Sequence, residues 1–236
     1  MTLLEVKGLK AVYGSLEVLH GIDMSVEQGE IITILGNNAA GKTTLVKAML
    51  GLVHVTAGEV LFKGDRIHGL PSDQVIMRGF AIVPENAQVF TTLSVLENLK
   101  MGFYLKARHE DIRPHLERVV GLYPFLTECL HRRADLLSGG QRQMLSVARA
   151  LISDPSVLIM DSPSMGLAPR YVKQQYDTIK KLNRDLGMTV LLIEQNANMA
   201  LALCHRAYVL QTGSVALSGT GRELLKNEQM RLAYLT

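Results

Sequence analysis

Tryptophan is absent from this 236-residue chain, and aromatic residues make up only 5% of it. Cysteine is almost absent too. Cys129 and Cys204 lie far apart, with no CxxC and no histidine at ligand spacing, which excludes a disulfide framework or a zinc ribbon. The chain is expected to fold without disulfides. No apolar run reaches the roughly 18–20 residues of a bilayer-crossing helix, so the chain is not expected to span a membrane itself. Met1-Thr2-Leu3-Leu4-Glu5-Val6 leads straight into strand-like alternation without a basic then long apolar leader, which favours the cytoplasm. Neither charge dominates: 25 Lys and Arg face 22 Asp and Glu, a net of +3, and nucleic acid is not an expected partner. What is present is ordinary globular composition, 47% apolar and 20% charged, at a length that suits one large domain or two lobes.

No short repeat, low-complexity tract or long Pro/Gly/Ser linker divides the chain. Apolar, β-branched runs at 30–35, 80–83, 157–160, 189–193 and 207–210 alternate with helical patterns, which predicts a largely parallel sheet wrapped by helices. The first 25 residues and the stretch 58–64 alternate differently and read as antiparallel strands at one side. Helical signals dominate from about 90 to 153. Ser94 with Glu97 forms a capping box, and Pro114 sits near the start of another helix.

The first chemical motif is Gly36-Asn37-Asn38-Ala39-Ala40-Gly41-Lys42-Thr43-Thr44, set between a strand and a helical run. It matches the phosphate-loop pattern GxxxxGK[ST] in its required context. In such a loop, backbone N–H groups curl around phosphate oxygens and the helix adds its positive end. Lys42 would reach the outer phosphates, and Thr43 would hold Mg²⁺ through its hydroxyl. Ala39 is the poor fit, because its Cβ disfavours positive φ and crowds the phosphate approach. This motif specifies a nucleoside triphosphate and leaves open what is done with it.

A second anion site follows nearly a hundred residues later. Leu137-Ser138-Gly139-Gly140-Gln141-Arg142-Gln143 places serine and two glycines at a helix start, where free backbone donors and the helix dipole favour negative charge. Taken alone, the same residues are also a good helix cap. Val157–Asp161 then reads as a buried strand ending in an acid. A carboxylate at that edge faces the crevice where ligands of such sheets bind, and it can hold Mg²⁺ through water.

The ordered set Tyr13-Gly14, GNNAAGKTT, LSGGQRQ and VLIMD resembles the ATP-binding subunits of ABC (ATP-binding cassette) transporters over essentially the whole chain. Ile82–Glu85, Val95–Leu99, Pro163–Pro169, Glu194–Ala197 and the ending Asn227-Glu228…Ala233-Tyr234-Leu235 resemble one branch, the smaller ATP-binding subunit of branched-chain amino acid importers. Importers for urea or short amides use similar subunits.

The resemblance implies an α/β P-loop NTPase fold: a RecA-like core with a parallel sheet, an antiparallel β side sheet and an inserted helical subdomain. The core would be 1–87 and 154–236 and the insertion 88–153, within one ABC domain. It also implies that two subunits associate head to tail, with each ATP between the phosphate loop of one and the Ser138–Gln141 segment of the other. The partner would be a related larger subunit or an identical copy. Membrane-spanning permease subunits, and through them a solute-binding protein, complete the assembly, which places this chain peripherally on the cytoplasmic face of the inner membrane.

By the same resemblance Tyr13 stacks on adenine, Glu85 stands where the family has a Gln that contacts Mg²⁺ and the membrane subunits, and Gln195 takes the γ-phosphate switch position. Lys42, Asp161 and Gln195 are thus the expected catalytic set, with Thr43, Glu85 and Asp161 on the metal. Ser162 stands where the family carries the Glu that polarises the attacking water. A serine hydroxyl is no base near neutral pH, and losing a positioned base costs about 10²–10⁴ in rate.

The leading reading is therefore the energy-coupling ATPase of an amino acid importer, and the alternative is a hydrolysis-impaired partner that binds ATP. Cassette proteins of ribosomes or DNA repair usually carry two cassettes or a coiled-coil insertion, absent from this sequence, and phosphate-loop kinases have no use for LSGGQ. Met144, Met160 and Met165 fall at apolar positions and are expected to pack in the core. Arg113, Arg118, Arg132 and Arg133 read as a solvated face.

Overall fold

The computed structural model describes residues 1–106 and 110–234. Residues 107–109 of the expected helical insertion and Leu235 of the C-terminal motif lie outside them. The described chain condenses into two compact units, one of residues 1–76 with 179–236 and the other of residues 77–178.

In chain order the first unit opens with β1 (Thr2–Tyr13), β2 (Leu16–Glu27), β3 (Ile31–Leu35), α1 (Lys42–Met49), β4 (His54–Phe62), β5 (Asp65–Arg66) and α2 (Ser72–Met77). The second unit carries β6 (Phe80–Val83), α3 (Val95–Gly102), α4 (Ile112–Leu122), α5 (Phe125–Cys129), α6 (Gly139–Leu151), β7 (Val157–Asp161) and the start of α7 (Pro169–Leu186). The first unit then resumes with β8 (Thr189–Ile193), α8 (Ala197–Leu203), β9 (Arg206–Gln211), β10 (Ser214–Thr220), α9 (Gly221–Lys226) and α10 (Glu228–Tyr234).

The first unit holds two strand systems. β2, β1, β4 and β5 form an antiparallel sheet in that order, while β3 lies between β8 and β9 in parallel pairing and β10 adds antiparallel to β9. All five residues of β3 and all five of β8 are buried, as strands covered on both faces require. Each fully buried Ile or Leu there contributes about 1.5–3 kcal/mol. The register pairs Ile34 with Ile193 and Leu35 with Val209, so β3 and β8 end within one residue of each other while β9 runs two residues further. Arg206 of β9 locks the opposite end: its guanidinium reaches both Glu30 carboxylate oxygens at 2.6 and 2.8 Å and the Ser25 carbonyl at 3.0 Å.

In the second unit, β6 and β7 pair in parallel with Val83 opposite Met160, and α3 packs on α6. Both helices start on complete capping boxes, Ser94 with Glu97 and Ser138 with Gln141, and each serine cap is worth about 1 kcal/mol. Met160 is fully buried and Met144 is half-buried beside Gln174. Met165 departs from the core expectation. It is 47% exposed, because it belongs to a turn closed by its N–H on the Ser162 carbonyl (3.0 Å) and not to a packed strand or helix face. Arg113, Arg118 and Arg133 pair with Asp111, Asp154 and Asp135, and Arg132 is exposed, a solvated face as its charges imply.

Candidate functional site

In the first unit, the phosphate-loop segment leaves β3 at Leu35 and enters α1 at Lys42. Gly36 opens it at φ 153°, and a Cβ there would sit 2.4 Å from the Leu210 carbonyl, so only glycine lets the chain pass β9. Asn37, Asn38 and Ala39 are exposed, and Ala40, Gly41 and Lys42 are buried. Lys42 is 8% exposed, and its ammonium donates to the Gly36 carbonyl at 2.7 Å and the Asn37 carbonyl at 2.9 Å. The cation therefore lies across the concave side of the loop that its own backbone encloses.

α1 begins without a side-chain cap: Gly41 is its N-cap at φ 102° and offers no acceptor. Its first-turn N–H groups have no intrahelical acceptor by geometry, which is the arrangement that takes a phosphate oxygen. Thr43 is exposed on that turn and Thr44 is half-buried. Ala39 does adopt the left-handed backbone, at φ 63°, a conformation that costs a non-glycine residue about 1 kcal/mol.

Two further candidates lie in the same unit. Gln195 is exposed immediately after β8, beside the phosphate loop because β3 and β8 end in register. Its N–H donates to the Glu194 carboxylate at 3.0 Å, while the Glu194 N–H donates to the Ile34 carbonyl at 3.2 Å. Tyr13 closes β1 and is 57% exposed, with its ring 5.3 Å from the Lys47 ammonium and its hydroxyl 3.3 Å from it. A flat, accessible aromatic face of this kind suits stacking.

Among the residues that composition and motif do not single out, Gly213 has the clearest role. It lies in the β9–β10 turn at φ 74°, donates its N–H to the Ala40 carbonyl at 3.0 Å and accepts from the His20 N–H at 2.9 Å. It thereby ties the phosphate loop to β2. No local sequence signal separates it from any other turn glycine.

The second unit holds the other candidates. Glu85 is half-buried just after β6, and Asp161 ends β7; the parallel register of those strands brings both to one edge. Ser162 follows at φ 47°, 6% exposed, its hydroxyl 3.4 Å from the Asp161 carboxylate. Ser138 caps α6: its hydroxyl accepts from the Gln141 N–H at 3.3 Å, and the Gln141 side chain accepts from the Ser138 N–H at 2.9 Å. Ser138 and Gly139 are exposed, whereas Gly140 is buried. A Cβ on Gly140 would lie 2.6 Å from the Tyr171 ring, so packing by itself demands glycine there.

Comparison with known proteins gives a consistent result. The ABC transporter family model matches residues 19–165. The chain is 42% identical to the high-affinity branched-chain amino acid transport ATP-binding protein BraG of Pseudomonas aeruginosa, over 94% of this chain and 95% of that protein. It is 38% identical to the probable branched-chain amino acid transport ATP-binding protein LivF of Archaeoglobus fulgidus, over 94% and 93% respectively. The same fold is seen in the ADP conformation of MJ1267, an ATP-binding cassette of an ABC transporter, with a TM-score of 0.87 at 23% identity over 100% of this chain and 99% of that one.

Proposed function

This chain belongs to the ABC transporter family of ATP-binding proteins, and from that membership we propose that it powers uptake of branched-chain amino acids through membrane-spanning partners. It is an ABC-type ATPase with the P-loop NTPase fold. The observation that carries the solute is its 42% identity, nearly end to end, to a protein described as serving branched-chain amino acid transport.

The roles of individual residues are proposals resting on the family pattern and on the local geometry. The loop Gly36–Thr44 binds the triphosphate with Lys42 on its outer phosphates, Tyr13 stacks on adenine, and Gln195 senses the terminal phosphate. The donor set suits Mg²⁺, a hard cation that takes one or two carboxylates and a hydroxyl and shares the rest of its shell with phosphate and water. Thr43, Asp161 and Glu85 would hold it, and when bound it neutralises charge building on the phosphates. Ser138–Gln141 would face the ATP of a second cassette subunit, either a related larger chain or a second copy. Residues 88–153 form the proposed helical subdomain, which with the segment after Glu85 would dock on the permease subunits.

No helix among the described residues is long and apolar enough to cross a membrane, which suits a peripheral subunit on the cytoplasmic face of the inner membrane. Family membership does not favour a purely ATP-binding, non-hydrolytic partner. Ser162 is proposed instead to limit the rate at the chain's own phosphate loop.

The test is affinity purification of tagged chain from solubilised membranes, with and without ATP, followed by uptake of labelled leucine into vesicles reconstituted from the recovered complex. Copurifying membrane subunits and ATP-dependent uptake that Lys42→Ala abolishes are expected. Recovery of the chain alone under both conditions rejects the assignment.

A further inference from the structure

Behind Glu85, three consecutive non-glycine residues, Asn86, Ala87 and Gln88, hold positive φ angles of 62°, 62° and 24°. Such a run is unfavourable for L-residues and persists only where its surroundings enforce it. Two clamps do so. The fully buried Asn98 of α3 accepts from the Phe90 N–H at 2.8 Å and donates to the Phe90 carbonyl at 2.9 Å, which pins the downstream end.

Arg149, in the last turn of α6, holds the middle. Its Nη2 donates to the Gln88 carbonyl at 2.9 Å, and its guanidinium lies over the Phe90 ring at 5.2 Å. The end of α3 closes on it from another side, where a Cβ on Gly102 would meet the Arg149 main-chain oxygen at 2.0 Å and its Cγ at 2.8 Å. Among the described residues, Arg149 Nη1 is buried with no hydrogen-bond partner. Burial also draws the guanidinium below its ordinary pKa. A position that served only to fill volume would take Met or Leu without leaving a buried donor unmet. The charge is retained against this cost where a carbonyl and a ring face need a fixed, forked donor.

We infer that Arg149 is a positioning residue, which holds Asn86–Gln88 in their left-handed path and thereby sets the carboxylate of Glu85. The inference rests on the reading of Glu85 as a metal-contacting residue, and its test separates the two.

Full-length chain is compared with Arg149→Met and Arg149→Lys, each with and without Ala87→Gly. Hydrogen exchange reads the amides of 86–90, and ATPase assays read the Mg²⁺ concentration for half-maximal rate. Arg149→Met is expected to lower amide protection at least tenfold and to raise the half-maximal Mg²⁺ severalfold, with Arg149→Lys intermediate. Ala87→Gly, free to take the left-handed angle, is expected to recover at least half of the Mg²⁺ shift. Unchanged protection in Arg149→Met, or no recovery by Ala87→Gly, overturns the positioning role. If Glu85→Ala leaves the Mg²⁺ dependence unaltered while Arg149→Met still loosens the segment, the reading of Glu85 fails and the hold of Arg149 on the loop stands.

Discussion

Replacing Gly213 by alanine tests whether the phosphate loop is held from outside its own motif. The added Cβ would lie 2.0 Å from the Val18 carbonyl oxygen and 2.7 Å from the His20 ring, at a backbone φ of 74°. Relief requires the turn to move, and both of its tethers go with it: the N–H donated to Ala40 and the carbonyl accepting from His20. The left-handed angle costs alanine about 1 kcal/mol, and two weakened hydrogen bonds add about 1 kcal/mol each. A loss of about 3 kcal/mol lowers the melting temperature of a chain this size by roughly 6–12 °C. ATP affinity should fall about fivefold to tenfold, the equivalent of one lost hydrogen bond on the loop. Gly64→Ala is the control, since Gly64 has φ 86° but none of the described residues comes within 4 Å of its missing Cβ, leaving only the backbone cost. Scanning calorimetry and nucleotide titration of both variants decide the matter. If Gly213→Ala melts with Gly64→Ala and binds ATP normally, the tether carries no weight.

Ser162→Glu should raise the single-turnover hydrolysis rate by about 10²–10⁴ if the missing base limits it; equal rates for the two proteins would remove Ser162 from the account. Gly140→Ala should lower the melting temperature of nucleotide-free protein by driving a methyl group into the Tyr171 ring, and Tyr171→Ala should recover most of that loss in the double variant. No recovery would mean that the ring is not the obstacle. Burial raises the Glu30 carboxyl pKa, but the Arg206 guanidinium and the Glu27 N–H outweigh it and hold the group below the ordinary 4.5. Its contribution is therefore complete above about pH 4.5 and is lost as pH falls through the lowered value. Melting curves from pH 6 to 3 should show a shallower acid limb in Glu30→Gln than in the parent, and parallel limbs would refute this.

The chemistry-bearing segments were readable because each is local. Residues 31–50 combine an unbroken apolar strand, a glycine-bounded loop and a helical run, and backbone sterics make that order a strand, a turn and a helix whatever surrounds it. Ser94 with Glu97 and Ser138 with Gln141 announce their helices for the same reason, since both halves of a capping box lie within one turn. Met165 misled because an apolar residue in a short turn has no periodicity to show which way it faces.

From its residues alone this chain reads as a phosphate-binding α/β protein, since backbone anion sites, strand ends and caps depend on neighbours close in sequence, and the order of its motifs carries the resemblance to the ABC family. Tertiary structure alone decided which distant groups hold those segments in place. Gly213 meets Ala40, Arg149 meets Gln88, and Tyr171 fills the space beside Gly140, through contacts set by strand register and helix packing. A turn glycine, a helical arginine and a tyrosine look ordinary until folding places a carbonyl oxygen or a missing Cβ beside them.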